Sequence, residues 1–463
     1  MKQIIITVLI GLFNTVSGVY GAAKPNIILI MADDFGYETI AANGAEEYKT
    51  PVLDKMAAEG MRFTQCFAQP LCTPSRVKIM TGMYNIRNYK KFGLLPKKEK
   101  TFAHMLKTAG YATCIVGKWQ LGGGPQGPEH FGFDQSLVWH NGRGNKRSDG
   151  EHKGKDNRYT NPQLELNGKN ADYTNGEFST DVLVDFANDF MEKNTRSATS
   201  TSSGQAGSGQ VSKPFLVYYP MILTHCPFVP TPGTTGYDAK SMGSPTYKGD
   251  AKYFGDMVNY VDKSIGRLIA KLEELNIRDN TLIIFTGDNG TDAPVKTKWN
   301  GRTVKAGKGR MTDNGVRVPL IVSWPKGKQS GVVSDELVDF SDMLPTMCEA
   351  AGIKPFEDVT IDGVSLWGAF NGKKDREKPY AYIWYNPQGG KNGNIMARTQ
   401  TRLLERKAPG APYKFHDCSE MYGWKDIDQK SMSDDDSSTF TMLKDEVEKL
   451  DKIRKKNDPA GDD

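Results

Sequence analysis

The chain has 463 residues and a formal net charge of +5, with 38% hydrophobic and 25% charged residues. That length supports a large core and about two domains. So small a net charge, with no basic run interleaved with aromatics, argues against a nucleic-acid partner.

Lys2 precedes an apolar run from Ile4 to Phe13, and small residues follow at Ser17, Gly18, Gly21, Ala22 and Ala23. This pattern predicts a secretory signal peptide over residues 1–23, and so a secreted or periplasmic protein. The run is too short for a membrane span, and no later segment reads as one.

Unbroken apolar runs of strand length occupy Asn26–Ala32, 215–219, 281–285 and 319–322, with a further strand over 111–116. Strands without polar alternation are buried on both faces, which implies a largely parallel sheet between helices. Helical patterns fall at Pro51–Glu59, 101–108 and 251–275, the last with Phe254, Val258, Val261, Ile265, Leu268, Leu272 and Leu275 on one face. The fold class is therefore α/β, a large mostly parallel sheet sandwiched by helices. Residues 122–175 and 197–212 read as loops, the second of low complexity. Beyond about Lys373 the composition changes. Strands are expected over 380–385 and 395–404, then a helix with Phe440, Leu443, Val447, Leu450 and Ile453 on one face. This divides the chain into a catalytic domain over 24–373 and a smaller α+β domain over 374–463.

Sites in parallel sheets gather at the carboxyl ends of the strands. Here those ends carry Asp33-Asp34, Gly117-Lys118, His225 and Asp288-Asn289. Either acidic motif alone reads as a turn or helix cap. Together they supply three carboxylates and an amide, hard oxygen ligands suited to calcium or magnesium rather than zinc. Adjacent acids at a buried strand end repel one another without a cation. Arg76, Lys118 and Lys308 form a candidate cationic cluster for an anionic ester, and His225 a candidate general acid. The six cysteines, 66, 72, 114, 226, 348 and 418, contain no C-x-x-C pair. They give no support for zinc and leave disulfide pairing open.

Cys72-Thr73-Pro74-Ser75-Arg76 resembles the maturation signal of type I sulfatases. The run from Pro25 to Tyr37, Gly117-Lys118-Trp119, Thr286-Gly287-Asp288-Asn289-Gly290 and Ile361-Asp362-Gly363-Val364-Ser365-Leu366 occur in the order that family shows. The resemblance implies an alkaline-phosphatase-like fold and a sulfuric ester hydrolase acting on a sulfated carbohydrate. It implies one calcium ion at Asp33, Asp34, Asp288 and Asn289, with Cys72 as a fifth protein ligand. Cys72 would be oxidised to formylglycine by a formylglycine-generating or sulfatase-maturing enzyme. Arg76 would support nucleophile and metal, Lys118 and Lys308 bind sulfate, and His225 assist the leaving group.

Gln120 departs from the pattern, since the family usually has His two residues after the lysine. An amide is no base at neutral pH. Either Gln120 only orients the nucleophile or another base serves, with His104 the candidate. Trp139, His140, Arg143, Lys146 and Arg147 are candidate sugar contacts. Two rivals stand beside the sulfatase reading: a phosphodiesterase or phosphonate hydrolase of the same superfamily, and a non-catalytic glycan-binding pseudo-sulfatase.

Overall fold

Period-2 geometry sends successive side chains of a strand to opposite faces. In Asn26–Ala32 both sets are apolar. Ile27, Leu29 and Met31 enter one core, while Ile28, Ile30 and Ala32 enter another on the far side. Leu282 and Ile284 divide from Ile283 and Phe285 in the same way. The computed structural model describes residues 24–140, 157–196, 213–327, 329–387, 389–390 and 392–456. The expected signal peptide and the 197–212 loop lie outside them. None of the described helices is long and apolar enough to cross a membrane.

The main sheet has ten strands. Its centre is parallel: Thr281–Gly287, Asn26–Ala32, Phe215–Pro220, Ala112–Trp119 and Gln135–His140 lie side by side in that order. Leu320–Ser323 joins antiparallel beside Thr281–Gly287. The hairpin Gln163–Leu166 and Lys169–Asp172 closes the other edge. The helix Phe254–Glu274 buries Phe254, Val258, Val261, Ile265, Leu268 and Leu272 against the second core. Each such side chain contributes about 1.5–3 kcal/mol of burial.

A five-stranded antiparallel sheet follows, from Ala381–Tyr385 to Lys425–Asp426, with the helix Asp434–Lys456. Tyr382, Trp384, Ala397, Leu404 and Leu443 enter the same core as Ile27 and Leu29, so this region shares a core with one face of the main sheet.

Two expectations are corrected. Residues 395–404 form two strands, Asn394–Arg398 and Arg402–Arg406, because Thr399 Oγ1 accepts from Thr401 N–H and Arg402 N–H and turns the chain. Residues 122–175 are not simply a loop. They contain the strand Gln135–His140, whose backbone completes the parallel sheet, and the edge hairpin. All six cysteines are buried and free.

Candidate active site

The register of the central strands builds the site. Ala32 pairs with Gly287, so Asp33 and Asp288 leave neighbouring strand ends together. Gly287 is required there, since a Cβ would lie 2.0 Å from the Phe35 carbonyl oxygen. Asp34 adopts a left-handed backbone, φ 57°, which Asp tolerates better than most residues. Its N–H donates to Asp288 Oδ1 at 2.9 Å. Two strands away, Gly117 has φ 122° and a Cβ would stand 2.1 Å from the Pro220 carbonyl oxygen. The glycine lets the strands close up before Lys118 reaches the same edge.

Cys72 opens the helix Cys72–Thr81. A spacing of four puts Arg76 on the same helical face. Arg76 Nη2 donates to Asp288 Oδ2 at 2.8 Å and lies 3.7 Å from Asp33 Oδ2. Lys118 Nζ donates to Asp33 Oδ2 and Lys308 Nζ to Asp34 Oδ2, each at 2.6 Å. Asn289 Nδ2 donates to Asp34 Oδ1 at 2.8 Å. His225 Nε2 lies 3.8 Å from Asp34 Oδ2. The structure thus brings Asp33, Asp34, Arg76, Lys118, His225, Asp288, Asn289 and Lys308 into one cluster. The charges acting on the Cys72 thiol are those of Lys118, Asp33, Asp288 and Lys308.

Burial dominates the electrostatics here. It pushes Asp288 up to about 7, with the negative charge of Asp33 adding to the rise. Burial also raises Asp34. Burial alone would raise Asp33 too, but Lys118, His225, Arg76 and Lys308 outweigh it and hold Asp33 well below the usual carboxylate range. Burial raises the Cys72 thiol despite Lys118. A protonated, buried thiol is a poor nucleophile as it stands.

Three cations nominally balance three carboxylates, yet the hydrogen bonding is incomplete. Asp33 Oδ1 and Asn289 Oδ1 are buried acceptors with no donor. Each costs about 1–3 kcal/mol if left so. Two orphaned oxygens beside further carboxylate oxygens form a hard donor set that a divalent cation would satisfy. Asp33, Asp34 and His225 also place ligand atoms within 4.8 Å of one another.

Gln120 is buried, and its Oε1 accepts from Thr73 Oγ1 at 3.3 Å, next to Cys72. The proposed substitute base fares differently. His104 Nδ1 accepts from Thr101 N–H at 3.1 Å, and Nε2 faces the His130 carbonyl at 2.9 Å. Nδ1 caps the helix Phe102–Thr108 and Nε2 is taken by the His130 carbonyl, so His104 does not offer the site a base. Trp139 is likewise not an open sugar contact. It is buried in its strand beneath the Arg158 guanidinium, 4.6 Å from the ring centroid. Arg143, Lys146 and Arg147 lie outside the described residues, as does the side chain of His140.

Arg158 was not foreseen. Its Nη1 donates to His225 Nδ1 at 2.7 Å and to the Cys226 carbonyl at 2.8 Å. The Cys226 carbonyl also lies 2.6 Å from Nδ1. The charged guanidinium is the stronger partner, which leaves Nδ1 accepting and the ring proton on Nε2, facing Asp34. Burial lowers the His225 pKa well below its ordinary value, with Lys308 adding to the fall. Asp292 is a second unforeseen member, 3.8 Å from Lys308 Nζ. No motif marks either residue in the sequence.

A ten-stranded mixed sheet with buried acids, lysines and a helix-borne cysteine at its strand ends defines the alkaline-phosphatase-like class. The sulfatase family model matches residues 25–353, and the model for the C-terminal region of N-sulphoglucosamine sulphohydrolase matches residues 306–405. The chain belongs to the sulfatase family, the sulfuric ester hydrolases. It is 31% identical to N-acetylgalactosamine-6-sulfatase of Canis lupus familiaris, over 79% of this chain and 70% of that protein. It is 30% identical to arylsulfatase A of Homo sapiens, over 80% of this chain and 72% of that protein. The crystal structure of Ps i-CgsB in complex with k-i-k-neocarrahexaose superimposes with a TM-score of 0.73 at 26% identity, covering 94% of each chain.

Proposed function

We propose that this sulfatase removes sulfate from a sulfated carbohydrate outside the cytoplasm, using calcium and a formylglycine made from Cys72 by a maturing enzyme. The observation that carries the reading is the buried cluster of Asp33, Asp34 and Asp288 with Arg76, Lys118 and Lys308, tied through Arg76 to the helix that Cys72 opens. The relatives named as sulfatases of N-acetylgalactosamine, and the neighbour solved with a carrageenan oligosaccharide, support a sugar.

Asp33, Asp34, Asp288, Asn289 and the residue at 72 would hold the cation, whose charge when bound balances that of the sulfate and of the nucleophile. An aldehyde hydrate at position 72 offers two hydroxyls on one carbon, one to take sulfate and one to release it. Lys118 and Lys308 then face the sulfate oxygens and stabilise the charge that develops as the ester S–O bond breaks. Arg76 fixes Asp288 against the helix. His225 turns its Nε2–H toward the departing alcohol oxygen; a proton taken from solvent at Nδ1, in exchange for the Arg158 hydrogen bond, makes the ring an acid that passes the Nε2 proton to that oxygen. Gln120, held by Thr73, orients the group at position 72 by hydrogen bonding and moves no proton.

Sulfate release from a panel of sulfated oligosaccharides, beside phosphate diesters and phosphonates at equal concentration, tests the reading. Sulfate release from at least one sugar, exceeding phosphate-ester turnover, is expected. Faster phosphodiester or phosphonate turnover would favour the first rival, and binding without release the second.

A further inference from the structure

The segment after His225 is stitched to a later loop. Phe228 N–H donates to the Lys248 carbonyl at 2.8 Å, and Asp250 N–H to the Phe228 carbonyl at 3.0 Å, around a bridge between Phe228 and Gly249. Gly249 has φ 65°, and a Cβ would lie 2.1 Å from the Phe228 carbonyl oxygen. Only glycine permits so close an approach. The consequence is that Tyr247 and Lys248 are held on fixed backbone at the mouth of the site rather than on a free loop.

Their side chains have unusual surroundings. Lys248 Nζ lies 2.5 Å from Asp292 Oδ2, the same oxygen that stands 3.8 Å from Lys308 Nζ. One carboxylate thus serves two ammonium groups, and Lys308 is already bonded to Asp34. Two carboxylates, Asp34 and Asp292, balance the two lysines, and the outer lysine opens further to solvent: the Lys308 side chain is 14% exposed and that of Lys248 is 44% exposed. Tyr247 is 62% exposed, the most exposed of the large apolar residues described. Its phenol hydroxyl neighbours the Cys226 thiol, and the ring keeps much of its surface in solvent. The Lys248 ammonium is 5.7 Å from the ring centroid.

We propose that Tyr247 and Lys248 select a sugar bearing a second acidic substituent, sulfate or carboxylate, next to the ester that is cleaved. Tyr247 lays its ring against the sugar and Lys248 pairs the second anion. This deepens the sulfatase reading and rests on it. Lys308 is committed to the scissile sulfate, so Lys248, the more exposed of the two, is the cation that can turn from Asp292 to another anion. The neighbouring groove, with Tyr159, Phe228, Tyr237 and Tyr253 in its wall, carries Asp238 and Asp250 and repels a second negative charge. The preference therefore points to Lys248.

The test uses mature, calcium-loaded enzyme and four probes: 4-methylumbelliferyl sulfate, a monosulfated disaccharide, its disulfated counterpart, and the monosulfated counterpart with a uronic acid. For the wild type, kcat/KM should favour a doubly anionic disaccharide over the monosulfated one on the order of tenfold, the value of one charge-assisted bond. The disulfated and uronate arms tell sulfate from carboxylate. Lys248→Ala should erase that ratio through KM, and Lys248→Arg should restore it. Tyr247→Ala should raise KM for the disaccharides more than for the aryl sulfate, and Tyr247→Trp should not. A wild type without preference, or a preference that survives in a folded Lys248→Ala enzyme, overturns the proposal. Absence of sulfate release by the wild type from all four probes would instead remove the sulfatase reading, and this proposal with it.

Discussion

The molecule buries two clusters of acids and bases, and they are finished differently. Near the junction with the C-terminal sheet, Asp339 and Asp342 meet Lys78, Arg376 and Lys378. Every carboxylate oxygen there has a donor. Asp339 Oδ1 takes Ser341 N–H at 2.9 Å and Oδ2 takes Tyr382 N–H at 3.2 Å. Asp342 Oδ1 takes Val364 N–H at 2.8 Å and Oδ2 takes Asp339 N–H at 2.9 Å. Burial would raise Asp339, but Lys378 and Lys78 hold it well below the usual carboxylate range. At the strand ends, by contrast, Asp288 is raised and Asp33 Oδ1, Asn289 Oδ1 and two nitrogens of Arg76 lack partners. A closed network ties elements together; an open one is shaped for something that arrives.

The largest expected separation between the clusters comes from the nucleophile. Cys72→Ala should lower turnover by about 10⁴-fold or more, as for loss of a covalent nucleophile, while the melting temperature stays near that of the wild type. A variant that keeps a tenth of wild-type turnover would deny Cys72 its role.

Removing Asp339 should do the reverse. A buried pair broken from one side costs about 3–5 kcal/mol, so Asp339→Ala should unfold at far lower denaturant concentration, yet the molecules that remain folded should turn over substrate normally. Selective loss of turnover with unchanged stability would mean that the second cluster is not merely structural.

Chelation sharpens the contrast next. Stripping divalent ions should stop turnover and lower the melting temperature, since saturation at 100 times Kd is worth about 2.7 kcal/mol. Calcium should restore both. The loss in melting temperature should be smaller in Asp288→Ala, whose cation site is already impaired, and undiminished in a variant of Lys378.

A smaller effect is expected at Arg158. Its positive charge is among the causes that lower His225. Arg158→Ala should therefore move the His225 limb of the kcat/KM profile to higher pH and lower kcat by about 10–100-fold, less than loss of the acid itself. An unmoved limb would remove Arg158 from the positioning of His225.

Much of this was legible because strand ends obey register. Asp33-Asp34 and Asp288-Asn289 could be placed together once two doubly buried strands were recognised, and Lys118 and His225 followed from the same edge. Arg158 and Asp292 were not legible, since each acts through a contact between distant segments that no local spacing encodes. The strand Gln135–His140 was missed among the glycines of 122–175, where composition outweighed the apolar run Leu137-Val138-Trp139. His104 misled for a related reason. Its place at a helix start suggested a residue near the catalytic edge, but the same position recruits its ring as a cap for Thr101.

The tryptic peptide over residues 63–76 holds both Cys66 and Cys72 and offers the most direct test of the central claim. Fragmentation mass spectra of active protein should show a loss of about 18 Da, or the corresponding hydrate, at position 72 and an unaltered thiol at position 66, because maturation replaces a thiol with an aldehyde. Protein with full sulfate-ester turnover and an unmodified thiol at Cys72 would contradict it.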